Sequence, residues 1–278
     1  MTDGLVSIIT STYNSGNYIA KAIESVQAQT YTNWEMVITD DCSTDDGPDI
    51  VRHYAASDPR IRLLQLDANS GPGVSRNNSI LNANGRYIAF LDSDDIWMPD
   101  KLQLQLELMS QTGCAMVYSS YLTCNEDNIV TGMVKCRHHV RYWRMVCDNV
   151  VGFLTMMYDR AKCGTMLLPE IRKRQDWALN MAVLKKCRVA YGYTKDPLAV
   201  YRVRTGSVSR DKISLVKYNI GIYNQVLGYP MPIAILVFFF IFMPFYFGKK
   251  LINFVKTLFL PVKGMDIRKL LSSRKSDK

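Results

Sequence analysis

Through the N-terminal third of the chain, short apolar runs alternate with stretches whose apolar positions recur at helical spacing. Residues 6–9 (VSII), 35–38 (EMVI), 61–64 (IRLL) and 87–91 (YIAFL) have the length and composition of strands. The last is apolar at five consecutive positions and reads as buried on both faces. Between these runs, Ser15-Gly16 opens a helix with Tyr18, Ile19, Ala22, Ile23 and Val26 on one face. A second helix covers roughly residues 46–56 and a third runs through Arg76 to Leu81. The resulting β-α-β-α-β-α-β pattern predicts a parallel sheet with right-handed crossovers. Three of the strands run into polar or acidic loops, 10–14 (TSTYN), 39–45 (TDDCSTD) and 92–95 (DSDD). In a parallel sheet such loops share one edge, and open α/β sheets bind ligands there.

Farther on, Met98-Pro99-Asp100 begins a helix reaching about Met109, and residues 114–119 and 129–134 read as strands. Residues 135–165 have no clear period. Gln175-Asp176-Trp177 heads a helix through Met181 and Leu184, 188–191 and 198–201 read as two closing strands, and 202–210 is a basic, polar loop. Residues 226–247 carry no charge, and 231–247 (MPIAILVFFFIFMPFYF) is almost wholly apolar. Its 17 residues would reach about 25 Å as a helix, against a hydrocarbon core of about 30 Å. Pro232 and Pro244 bracket this run and are expected to break its ends. Lys249 and Lys250 follow at once, then an amphipathic stretch containing Leu251, Ile252, Phe254, Val255, Leu258, Phe259 and Leu260.

Charge changes this picture once it is located. The 278 residues carry a net +9, of which +7 lies in residues 248–278 and +2 in all that precedes them. The main body therefore lacks the basic face that nucleic acid requires. The seven cysteines are scattered and never spaced as Cys-x-x-Cys, and no signal peptide is evident, so they read as reduced thiols in a cytoplasmic protein. His138-His139 is expected to be a solvated pair, and Trp97 and Trp177 to be core residues. The acidic turn is the main chemical candidate. Asp92 and Asp94 present hard oxygen ligands of the kind Mg²⁺ or Mn²⁺ accepts while a substrate diphosphate completes the shell. A solvated turn capping the helix from Pro99 is the alternative.

Taken together, residues 6–14 (VSIITSTYN), 37–45 (VITDDCSTD), 69–78 (NSGPGVSRNN), 87–95 (YIAFLDSDD) and 175–177 (QDW) resemble the inverting family 2 glycosyltransferases. The resemblance covers residue 5 to about residue 210. It implies an α/β, GT-A nucleotide-diphospho-sugar transferase fold, Rossmann-like, with a mostly parallel central sheet. Cys42 stands where the family usually has glycine, which asks for an unusual turn conformation. Carried over position by position, Ser11 and Tyr13 border the nucleoside, with Tyr13 packing near the base. Asp41 accepts a hydrogen bond from a uracil N–H. Arg76 lies near the diphosphate or uracil as a fixed cation. Asp94 ligates the divalent metal, Mn²⁺ or Mg²⁺, and Asp92 helps through the ribose or the metal's water shell. Asp176 is the general base. Its other reading is a first-turn acid, favourable at a helix N-terminus in any case. Tyr201-Arg202 with Ser207 and Ser209 resembles a closing segment over the diphosphate, with an ordinary surface loop as the alternative.

The chemistry asks for such groups. A departing diphosphate develops negative charge that a metal can clamp, and the attacking hydroxyl must lose its proton to a carboxylate as the bond forms. Base and leaving group on opposite faces of the sugar give inversion. The expected enzyme is an inverting, metal-dependent glycosyltransferase using a nucleotide-sugar donor, taken as a UDP-sugar. Its expected acceptor is a lipid-linked saccharide in bacterial surface-polysaccharide synthesis, with transfer to polyprenyl phosphate or a non-catalytic, nucleotide-binding assembly factor as alternatives. The expected organisation is a catalytic domain over 1–225, a membrane-associated segment over 226–262 and a basic tail over 263–278. A basic tail belongs on the cytoplasmic side. The catalytic domain does too, because nucleotide sugars are made there. The segment is therefore expected to dip into the inner membrane and return, or to lie in its interface, with a single span as the alternative.

Overall fold

The computed structural model describes residues 4–204 and 212–276. Four strands, β1 (Val6–Thr12), β2 (Trp34–Asp40), β3 (Ile61–Gln65) and β4 (Tyr87–Phe90), run parallel in the order β3-β2-β1-β4. Helices α1 (Gly16–Gln27), α2 (Gly47–Ser57) and α3 (Pro72–Leu81) connect them. Strands β2 and β4 are buried at every position, which is why their sequences do not alternate. On α1 the predicted face buries Ile19, Ala22, Ile23 and Val26.

Beyond β4 the sheet becomes mixed. The acidic turn does not cap a helix; it leads into a two-residue strand, β5 (Ile96–Trp97), and α4 (Lys101–Thr112) starts only after that. Then come β6 (Met116–Cys124), β7 (Val130–Val134), β8 (His139–Arg141), α5 (Tyr142–Cys147), β9 (Met157–Asp159), α6 (Arg160–Cys163), α7 (Gln175–Cys187), β10 (Val189–Arg202) and α8 (Lys212–Gly221). The main sheet order is β3-β2-β1-β4-β9-β6-β10-β5. Short β9 runs antiparallel to both β4 and β6, and so joins the parallel half to the β6–β10 pair. The two closing strands expected at 188–191 and 198–201 are one strand. Its register shifts on either side of Pro197, where the missing N–H is absorbed as a bulge.

The apolar run forms an unbroken helix over 231–258, regular at Met231–Val237 and Met243–Leu258 with a wider π-type turn at Phe238–Phe242. Pro232 sits at its start, but Pro244 lies inside it. The wider turn just before Pro244 accommodates the lost backbone bond, so the expected break does not occur. Ala234, Phe238 and Phe242 enter the same core as Trp177, Ile222 and Tyr223. The chain then returns to the edge of the sheet. Gly264 N–H donates to Val130 C=O and Val130 N–H to Met265 C=O, both at 2.9 Å, and Ile267 is buried with Ile96, Leu122 and Val200. Both ends of the apolar helix are thus fixed to one body. The helix contains no reversal over 231–258, and its inner side packs into the core around Trp177.

At the opposite ends of the strands, Gly85 permits the close approach that sets the register of β4. Its N–H donates to Ser7 Oγ at 2.7 Å, and Ser7 Oγ donates to buried Glu35 Oε1 at 2.6 Å. A Cβ at position 85 would lie 2.5 Å from Ser7 Oγ and 2.7 Å from Leu5 O. Gly85→Ala is expected to lower stability by about 1–3 kcal/mol. Urea denaturation followed by circular dichroism checks this, and an unchanged midpoint would contradict the packing described.

Candidate active site

The three loops at the carboxyl ends of β1, β2 and β4 are tied into one unit by side chains. Asn14 N–H donates to Ser43 Oγ, and Asn14 Oδ1 accepts from Thr44 N–H, both at 2.9 Å. Asp45 accepts the Gly16 N–H at 2.7 Å, satisfying the first turn of α1. Ser93 Oγ donates to Ser15 Oγ at 3.0 Å and brings in the acidic turn. Cys42 has φ of 64°, the left-handed conformation expected for a residue standing where glycine is usual.

Within this frame Asp41 is only 3% exposed, and each of its oxygens accepts a backbone N–H at 2.8 Å, from Ser70 and Gly71. It therefore fixes the loop leading into α3, a role the sequence reading did not include, and each oxygen keeps a lone pair. Ser11 is half-buried at the end of β1, and Tyr13 is 48% exposed at the mouth of the edge. Arg76 projects from α3, with its guanidinium 2.5 Å from Asp92 Oδ1 and 5.1 Å from the centre of the Phe153 ring.

The acidic turn is crowded with like charge. Burial, with Asp92 beside it, holds the Asp94 carboxyl above the usual carboxylate range, against the pull of Arg204. Burial, with Asp94 and Asp92 beside it, pushes Asp95 well above it. Arg204 lies 3.3 Å from Asp94 Oδ2, Arg202 Nε donates to Asp94 C=O at 3.1 Å, and Arg202 N–H donates to Asp95 Oδ1 at 2.9 Å. Asp95 Oδ2 is buried with no hydrogen-bond partner among the described residues. These oxygens fit a divalent cation: three carboxylates crowd one turn, and one of their buried oxygens has no donor among the described residues. Among the described residues no group of three acidic, histidine or cysteine side chains could hold a metal alone. A Mg²⁺ or Mn²⁺ held here would need substrate phosphate and water to complete its shell.

Asp176 lies on the first turn of α7, where the helix dipole favours a carboxylate. Its Oδ2 accepts from Asn149 Nδ2 at 2.8 Å. The start of α7 packs against α3: a Cβ on Gly73 would lie 2.1 Å from Gln175 Nε2. Tyr121, on β6, feels both Asp95 and Asp176, and its hydroxyl is pushed up first by burial and then by Tyr201 and these carboxylates. Tyr121, Asn149 and Arg204 were missed by the sequence reading. Arg204 was signalled by the basic loop, whereas Asn149 lies in the stretch without period. Ser207 and Ser209 lie outside the described residues.

The remaining candidates fall elsewhere. His138 and His139 are exposed beside Tyr191, at the amino end of β10. Trp97 and Trp177 are wholly buried, their indole N–H groups donating to Leu154 and Met145 carbonyls. A cavity of about 330 Å³ lined by Cys114, Lys162, Lys186 and Cys187 lies at the amino ends of β6 and β10, away from these residues. All seven cysteines are free.

The Glycosyl transferase family 2 profile matches residues 7–164. The chain belongs to that family. It is 40% identical over 223 residues to TuaG of Bacillus subtilis, named for teichuronic acid biosynthesis, covering 80% of this chain and 88% of TuaG. It is 32% identical over 231 residues to WfgD of Escherichia coli, covering 83% and 90% of the two chains. WfgD is named as a UDP-Glc:α-D-GlcNAc-diphosphoundecaprenol β-1,3-glucosyltransferase. Among solved structures, a fragment of S. aureus TarS in complex with UDP-GlcNAc superposes with a TM-score of 0.66 at 22% identity, covering 84% of this chain and 70% of that one. This family 2 chain is a glycosyltransferase with the GT-A architecture its motifs implied.

Proposed function

We propose that this glycosyltransferase moves a sugar from a UDP-sugar to a hydroxyl of a lipid-linked saccharide, with inversion, at the cytoplasmic face of a bacterial plasma membrane. The product belongs to a surface polysaccharide. The observation that carries this reading is a single edge of the sheet. It holds a carboxylate turn paired to two arginines, and a separate carboxylate, Asp176, oriented by a side-chain amide. The reaction named for WfgD supports the donor and acceptor classes, and makes UDP-glucose with a GlcNAc-diphosphate-lipid the first pair to try.

Each residue has a task in this mechanism. Tyr13 offers an exposed ring to the base, and Ser11 borders the nucleoside. Asp41 accepts the uracil N–H with a lone pair its backbone bonds leave over. Asp94, with Asp92, would hold Mn²⁺ or Mg²⁺, which when bound offsets the charge of the departing diphosphate. Arg76 and Arg204 place permanent positive charge beside the same oxygens, suited to phosphate. Asp176 takes the proton of the acceptor hydroxyl as it attacks the anomeric carbon. Attack opposite the leaving group turns an α-linked donor into a β-linked product. Asp176→Asn keeps the shape of the side chain but removes the base. It is expected to lower kcat by about 10²–10⁴-fold while UDP still raises the melting temperature. Wild-type kcat in this variant would refute the assignment.

The apolar helix supports an interfacial placement. Its outward face exposes Phe239, Phe240, Phe247, Leu251, Phe254 and Phe259, and its ends are fixed to the catalytic body. Lying flat, it buries this face at the level of the lipid headgroups, with the +7 of residues 248–278 attracted to anionic lipid. The purified chain is expected to co-sediment with phosphatidylglycerol-containing vesicles, less so at high salt. A Phe240→Ser/Phe254→Ser variant is expected to remain largely in the supernatant. Equal sedimentation of variant and wild type would contradict this placement.

A further inference from the structure

The inward face of the apolar helix makes a contact that general membrane attachment does not require. Ala234, Phe238, Phe242, Tyr246 and Lys249 follow one another at steps of three or four residues, and so share one stripe. Phe242 packs on the Trp177 ring at 5.4 Å, and Trp177 is next in sequence to Asp176. Two turns farther, Lys249 Nζ lies 2.9 Å from Asp148 Oδ1 and 2.7 Å from Asp148 Oδ2. The same ammonium donates to the backbone carbonyl of Asn149 at 2.8 Å. Asp148 is 2% exposed, so its charge is withdrawn from water and depends on its cationic partners, Lys249 and, at 3.9 Å, Arg144.

Asn149 is then held at every polar end. Lys249 fixes its carbonyl, and Asn180, itself fully buried, donates from Nδ2 to Asn149 Oδ1 at 3.3 Å. With Oδ1 accepting, the remaining amide group, Nδ2, is directed as a donor to Asp176 Oδ2 at 2.8 Å. A donor on Oδ2 fixes the rotation of the carboxylate and leaves Oδ1 to meet the acceptor hydroxyl.

We infer that Asn149 is a positioning residue for the general base, and that Lys249 holds Asn149 from the apolar helix. The seating of that helix on the catalytic body thereby sets the geometry of Asp176. This inference rests on the reading of Asp176 as the base. It makes the helix part of the catalytic apparatus: an enzyme whose helix is displaced still binds its donor but turns it over slowly. A lipid-linked acceptor is then met by an aligned base only where the helix is seated.

The test is steady-state kinetics on the full chain with UDP-glucose and a short-chain polyprenyl-diphosphate GlcNAc, for Asn149→Ala, Lys249→Met, Lys249→Arg, the Asn149→Ala/Lys249→Met double variant and Asp176→Asn. Misplacing the base is expected to lower kcat by about 10–100-fold in Asn149→Ala and Lys249→Met, with the donor KM within about twofold of wild type. Lys249→Arg recovers most of the rate, because its guanidinium can meet both acceptors. The double variant is no slower than the worse single one, since both act along one chain of contacts. A merely structural lysine predicts additive losses and a KM that moves with kcat. Wild-type kcat in Asn149→Ala and Lys249→Met, while Asp176→Asn is inactive, would overturn this inference alone. An active Asp176→Asn would overturn the base assignment and this inference with it.

Amide hydrogen exchange supplies an arm independent of any substrate. Lys249→Met is expected to speed exchange in residues 146–152 and at the start of α7, and Lys249→Arg to restore protection. Unchanged protection in Lys249→Met would overturn the inference.

Discussion

Three carboxylates within four positions, at the end of a strand with no exposed residue, impose a constraint that the rest of the site answers. Desolvation and mutual repulsion both disfavour the charged forms of Asp94 and Asp95. Cationic groups must therefore converge on this turn, and they do so from distant parts of the chain: Arg76 from α3, Arg202 at the end of β10, and Arg204 just beyond it. Arg202 and Arg204 stand at this turn because β10 ends where the charge has accumulated. The same crowding of carboxylate oxygens suits the turn to a divalent metal that arrives with a substrate diphosphate.

Much of this was legible in the sequence, for identifiable reasons. The run at 87–91 is apolar throughout, and those at 6–9 and 35–38 are broken only by Ser7 and Glu35; their lengths read as strands, and their order with the helices predicts parallel pairing. The loops therefore had to meet on one edge, and the Asn14, Ser43, Asp45 and Ser93 contacts show how they do. The positive φ of Cys42 could be anticipated because its neighbours identified the turn it occupies. Asp176 was readable as the head of a helix, and the geometry adds the amide that orients it.

What escaped the sequence is non-local. Strand β9 has only three residues and is defined by its neighbours β4 and β6, so no period announces it. β5 is shorter still, and the long β10 was divided because Pro197 looks like an end when it is a bulge. Lys249 read as a basic flank to an apolar run. Its actual partners, Asp148 and Asn149, lie about a hundred residues away in a stretch with no pattern of its own. Pro244 misled for a related reason: a proline lacks one backbone bond, but a helix packed along a protein surface can absorb that loss in a wider turn. The result is a helix that belongs to two environments, its inner stripe continuous with the core around Trp177 and its outer face unpartnered by protein.

The central claim is that the acidic edge binds a nucleoside diphosphate through a metal held by Asp94. Thermal unfolding of the detergent-solubilised full chain with UDP, with and without Mn²⁺, tests it without knowledge of sugar or acceptor. The account predicts that UDP raises the melting temperature of the wild type only in the presence of Mn²⁺, and that Asp94→Asn loses this rise while remaining folded. Equal stabilisation of wild type and Asp94→Asn by UDP and Mn²⁺, or none in the wild type, would contradict it.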